Sequence, residues 1–236
     1  PGEKTNNLRV VLVKFRPAPE NTDTAVAIVE LFRRSLVKQA ILIPVLGLYN
    51  ITIGLLVSGY SIISQHISEL ALETRFFAYS HRLADILIGL SMCAFAFGCL
   101  SIARAKFTFA TMLAFGLTWI SAGIFVLNSP LHDIYGLTTI LLVVPVLFAL
   151  EMRDYYRSKR FQNIAVLVTL THVIFFWFYS YGFMPTGFKG LTQRIWVFIT
   201  LSWYGFAAYQ LVAVANKSGK SDTEMRAVTE GVGASS

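Results

Sequence analysis

Apolar runs of about 20 residues recur along this chain, separated by short polar pieces. A run of that length is what a helix needs to cross a hydrocarbon core of ~30 Å. None shows the period-2 alternation of a membrane barrel strand. Only 14% of the residues are charged, against about a quarter in soluble domains. The fold class this implies is all-α: an integral membrane bundle of six transmembrane helices. The spans are expected near 36–59, 79–103, 107–127, 134–151, 161–181 and 191–215. Pro44 is expected to kink the first span.

The remainder divides into an N-terminal segment, 1–35, and a tail, 216–236. Within the first, LRVVLVKF (8–15) reads as a short strand or an adhesive segment. AVAIVELFRRSLVKQ, from Ala25, reads as a helix approaching along the membrane surface, since Arg33, Arg34 and Lys38 accompany Val26, Val29 and Leu36. The Ser-, Gly- and Lys-rich tail reads as disordered. Cys93 and Cys99 share one helix but point ~120° apart, so no disulfide joins them.

The formal net charge is +7, which raises nucleic acid as a partner. The cations lie at helix ends and not in one basic patch, which argues against it. If the N-terminus is cytoplasmic, 16 of the 20 Lys and Arg residues fall inside and 4 (Arg75, Arg82, Lys189 and Arg194) fall outside. That bias orients the chain with both termini cytoplasmic.

With this orientation, SQHISEL (64–70), HRLAD (81–85), NSPLHD (128–133) and Arg194 all belong to the outer side. His66, Glu69 and Glu73 share a face if 64–74 is helical, and His81 and Asp85 are an i,i+4 pair. Asp85 lies about one turn inside the membrane, where a carboxylate requires a partner. Arg82, His81 and the 128–133 loop are the candidates, and an Arg82–Asp85 ion pair is the plainest reading. Ser129, Pro130 and Asp133 read as the capped start of the fourth span. His132 is not needed for capping and is therefore the residue singled out for chemistry. His172, mid-span, reads as a helix-to-helix hydrogen bond. Gly89, Ala94 and Gly98 read as packing positions. A zinc set of His66, His81 and His132 with Asp85 or Glu69 lacks any supporting motif. A hydrolase triad of Ser64 or Ser129 with His132 and Asp85 lacks a GxSxG elbow.

YSIISQHISEL (60–70), RLADILIGL (82–90), GIFVLNSPLHDIYGL (123–137) and GLTQRIWVFITLSW (190–203) resemble, in order and spacing, the bacterial membrane proteins grouped as domain of unknown function 998. The resemblance covers roughly residues 40–215. It implies the six-helix plan and a bacterial inner membrane, and it draws attention to Ser68, Glu69, Arg82, Asp85, Pro130, His132 and Arg194. It implies no reaction, cofactor or metal.

The expected function is a polar outer-face pocket that binds an amphiphile or lipid headgroup, with catalysis on it left open. In the catalytic version His132 is general base, Asp85 or Glu69 its orienter or a metal ligand, and Arg82 or Arg194 an anion clamp; His66 and His81 add ligand contacts. The expected partners are membrane lipids. The alternative is an accessory subunit packed against other membrane-protein subunits, and transport ranks last because mid-membrane polar groups are few.

Overall fold

In a computed structural model the described residues are 20–155, 158–185 and 187–233, with side chains described for 24–155, 158–185 and 187–213. The segment 8–15 lies outside them. Every regular element among the described residues is helical.

Helix α1 (Glu20–Lys38) passes into a 3-10 turn, Gln39–Leu42, then α2 (Ile43–Thr52) and a second 3-10 turn, Ile53–Leu56. Lys38, Leu42 and Thr52 at the junctions keep right-handed helical dihedrals. The stretch Thr24–Leu56 is thus one helical path of 33 residues, and no turn separates a surface helix from the first span. At ~1.5 Å per residue it exceeds the ~30 Å core. Pro44 has no N–H to donate to the carbonyl of Ala40, so that carbonyl accepts from Ile43 instead. The missing donor tightens the helix just before the proline.

Helices α3 (Arg75–Ala103) and α4 (Lys106–Ile124) form a hairpin, turned by Arg104 in the left-handed region at φ 54°. Their backbones touch. A Cβ on Gly89 would lie 2.5 Å from the Gly116 carbonyl oxygen, and one on Gly123 would lie 2.6 Å from that of Arg82. Small residues allow that approach, as in membrane bundles generally.

The fourth apolar run is not one helix. It is a 3-10 turn, Leu137–Leu142, followed by α5 (Val144–Glu151). Pro145, at the start of α5, repeats the Pro44 pattern and splits the run. Among the described residues, five helices are therefore long and apolar enough to cross a membrane. The broken segment nevertheless runs the length of α4. Glu151 accepts from the N–H groups of Phe107 (3.1 Å) and Thr108 (2.6 Å) at one end of α4. At the other end, Ser121 Oγ donates to the Leu131 carbonyl at 2.6 Å.

Helices α6 (Lys159–Ser180) and α7 (Lys189–Gly233) complete the fold. The apolar part of α7 is Lys189–Ala213, but its backbone stays helical across 216–233, where composition suggests disorder. Glu224, Met225, Arg226 and Ala227 are good helix formers and continue a helix already nucleated. Phe95, Phe115, Phe148 and Tyr204 form the buried centre. Leu55, Leu56, Phe76, Phe107 and Leu150 are exposed, the inverted surface of a chain solvated by lipid. Cys93 and Cys99 are free. His172 accepts a 3.3 Å hydrogen bond from Trp196 Nε1, joining α6 to α7.

Candidate functional site

Helices α2, α4 and α6 end, and α3 and α7 begin, at the same end of the bundle. A cavity of about 370 Å³ opens there. It reaches from Ala122 to Phe115 along α4 and from Gln193 to Thr200 along α7, a depth of ~10 Å at the helical rise. Aromatic and apolar side chains make most of its wall, and His66, His81 and His132 all face it.

Its floor is a buried triad. Asn50 of α2 and His81 and Asp85 of α3 are 2%, 2% and 4% exposed. His81 Nδ1 lies 2.5 Å from Asn50 Oδ1, and Asn50 Nδ2 donates to Asp85 Oδ1 at 2.6 Å. His81 Nε2 is 3.4 Å from Asp85 Oδ2. Helical spacing brings His81 and Asp85 together one turn apart; only the packing of α2 against α3 adds the asparagine.

His132 comes from the 125–136 connection. Ser129 and Pro130 do not begin a helix, contrary to the capping expectation. Ser129 Oγ accepts from the Leu131 N–H at 3.2 Å within a turn. Asp133 Oδ1 accepts from the Gly136 N–H at 3.0 Å, just ahead of the 3-10 turn. Ile134, Tyr135 and Gly136 have φ of 50°, 55° and 87°. A left-handed β-branched residue costs of order 1–3 kcal/mol and persists only where its surroundings enforce it. Here the Tyr135 N–H is tied to the Pro130 carbonyl at 3.0 Å. The result presents His132 to the cavity with Nδ1 donating to the Phe125 carbonyl at 2.9 Å. Its Nε2 is left as the lone-pair nitrogen.

His66 precedes the 3-10 turn Ile67–Leu72. Gln193 Oε1 accepts from the Ile67 N–H at 2.7 Å and sits 3.3 Å from His66 Nδ1. Glu69 does not line the cavity. Its Oε1 accepts from the His66 N–H at 3.1 Å and from Lys189 Nζ at 3.3 Å, so it locks the turn to α7. Burial holds His66 below its ordinary value of 6.5, with the Lys189 charge adding to it. Burial alone would raise Glu69, but the His66 N–H and Lys189 outweigh it and hold the carboxyl low. In both cases the unfolded chain takes up the proton first as pH falls. Stability is therefore complete above about pH 7 and is lost on acidification, first through His66 and then through Glu69. Unfolding midpoints in detergent should fall between about pH 7 and about pH 5, and His66→Gln should make that fall shallower. A flat wild-type profile would contradict this.

Both arginines expected as anion clamps are engaged elsewhere. Arg82 does not pair with Asp85; its Nε donates to the Gly123 carbonyl at 2.8 Å and its Nη2 to that of Ile124 at 2.5 Å. It thereby caps the C-terminus of α4, where free carbonyls and the helix dipole attract a cation. Arg194 is 4% exposed. Its guanidinium donates to the carbonyls of Ile51, Ile62, Gln65 and Gly190 and to the Tyr60 hydroxyl. Burial raises the Tyr60 phenol despite Arg194, so it stays protonated and donates to the His66 carbonyl.

The structure thus gathers His132, Asp85, His66 and His81 at one cavity and leaves Glu69, Arg82 and Arg194 outside its lining. Neither Ser64 nor Ser129 lines it. Among the described residues, no three His, Cys, Asp or Glu side chains are grouped closely enough to hold a metal ion. Asn50, Tyr179 and Gln193 line it without having been singled out. An amide well inside the first span was the available signal for Asn50; Tyr179 reads as an interfacial aromatic, and nothing marks Gln193.

Long apolar helices around an inward-facing polar floor define a multi-pass helical membrane protein. The chain belongs to the family described as Protein of unknown function (DUF998), whose model matches residues 41–210. No curated protein and no solved structure shows significant similarity to it.

Proposed function

We propose that this is a bacterial inner-membrane protein whose cavity opens to the outer face and binds an amphiphilic, lipid-like molecule. The carrying observation is the cavity itself: mostly apolar walls with a few convergent polar groups, the usual make-up of a small-molecule site. Its apolar wall suits a chain, and the triad and His132 suit a polar head. Because His132 Nδ1 donates to a backbone carbonyl, its Nε2 is the group equipped to take a proton from a bound molecule.

Six crossings with both termini cytoplasmic remain the topology we favour. Sixteen of 20 cations fall on one side in that arrangement. The 137–151 segment supports it by running beside α4, whose 19 residues extend ~28 Å.

Native mass spectrometry of the protein from its own membranes should find one amphiphile retained per chain. His132→Ala, with an unchanged unfolding midpoint, should lose it at least about tenfold, a change of ~1.4 kcal/mol. Wild-type protein that carries nothing, or full retention in both His132→Ala and Asp85→Ala, would end this reading.

A further inference from the structure

We propose that the cavity selects an amphiphile whose head is uncharged and hydrogen-bonding, such as a hydroxyl, ester or amide, over phosphate or quaternary ammonium heads. This inference rests on the cavity being a ligand site and names what that site takes.

The first argument is the missing cation. Among the described residues no Lys or Arg lines the cavity, and Arg194, the buried arginine nearby, already donates to five oxygens. An anionic head moved out of water needs a paired charge or dense donors to offset desolvation. Asp133, on the cavity rim, adds charge of the wrong sign.

The second argument is proton counting in the triad. With Asn50 Nδ2 donating to Asp85, Asn50 Oδ1 must accept from His81 Nδ1–H. His81 Nε2 then faces Asp85 Oδ2, and a proton must lie between them. If the amide is reversed, its oxygen faces Asp85 Oδ1, which must then carry the proton. Both arrangements hold one proton more on the acid–imidazole pair than a carboxylate beside a neutral imidazole would, so the floor is electrically neutral. The floor offers no countercharge to an ammonium head either, and Asp133 at the rim is exposed and already accepts from the Gly136 N–H.

The third argument is an orphan. Tyr179, on the cavity wall, has a buried hydroxyl with no hydrogen-bond partner among the described residues; of the four such buried groups, Tyr179, Thr108, Trp203 and Tyr204, it alone belongs to this cavity. Buried hydroxyls are nearly always satisfied, so a bound head that shifts the wall beside it gains one hydrogen bond there. His132 Nε2 supplies an acceptor for a hydroxyl head.

The test compares three amphiphiles with the same dodecyl chain, namely monododecanoylglycerol, dodecyl phosphate and dodecyltrimethylammonium, on full-length protein in nanodiscs. Binding is read by native mass spectrometry and tryptophan fluorescence. The glycerol head should bind at least about tenfold tighter than either ion. Tyr179→Phe should keep the wild-type unfolding midpoint and weaken that head about threefold to tenfold, as one lost hydrogen bond does. Equal or tighter binding of phosphate or trimethylammonium, or an unchanged affinity in Tyr179→Phe, overturns the proposal while leaving the cavity a binding site. Binding of none of the three by folded protein overturns the cavity reading, and this inference with it.

Discussion

Arg194→Leu will cost about 3–5 kcal/mol of stability, the range for removing one partner of a buried charged network. Four backbone carbonyls and the Tyr60 hydroxyl lose their donor together. The carbonyls of Ile51, Ile62, Gln65 and Gly190 come from three separate stretches of chain. The guanidinium therefore fastens the 57–66 connection to the start of α7 together with the Leu191 N–H, which donates to the Ile63 carbonyl at 2.9 Å, and buried carbonyls left bare cost ~1–3 kcal/mol each. Gly190 lets this junction close: a Cβ there would sit 2.1 Å from the Gln65 carbonyl oxygen. Arg194→Lys should recover part of the loss, because an ammonium keeps the charge but not the planar fork. Denaturant titration in detergent measures the change; a loss under about 1 kcal/mol would sink the account.

Asn50→Leu will cost about 2–3 kcal/mol, and Asp85→Asn less than about 1 kcal/mol. The leucine removes an acceptor from His81 and a donor from Asp85, both buried. Two orphaned groups at ~1–3 kcal/mol each set the upper end, and the smaller values typical of interhelical bonds in bilayers pull the figure down. Asp85→Asn is different because a triad already holding one proton is neutral. An amide can accept from Asn50 and donate to His81 Nε2 much as a protonated carboxyl does. The order of the two variants matters more than either size. Were Asp85→Asn the more damaging, the shared proton would sit on His81 and Asp85 would carry the negative charge.

These two positions also mark how far the residues alone could be read. Asp85 and His81 were recognisable as partners because one turn of helix separates them, a geometry local to the chain. The convergence of HRLAD, SQHISEL and NSPLHD at one end of the bundle followed from counting crossings. Asn50 escaped because its role depends on how α2 packs on α3. The arginines were misread for a related reason: a guanidinium in a sequence suggests a carboxylate or phosphate. Here its partners are main-chain carbonyls, four of the six (Ile62, Gln65, Gly123 and Ile124) free because the 57–66 connection and the end of α4 stop being helical.

The membrane class, the approximate positions of the apolar segments and the shared side of the polar motifs were determined by the sequence alone. Each depends on composition and periodicity within a few turns, and lipid imposes those strictly, since a chain in hydrocarbon must satisfy its own backbone. Two departures were also local in origin: Pro44 and Pro145 each remove one donor and tighten the turn before them. Tertiary structure decided which polar side chains meet in the cavity and which hold the frame. That choice rests on approaches of a few ångströms between helices distant in the chain, set by glycine contacts such as Gly89 on Gly116. It sent Arg82, Arg194 and Glu69 to the scaffold, and it left His132 beside the neutral floor formed by Asn50, His81 and Asp85.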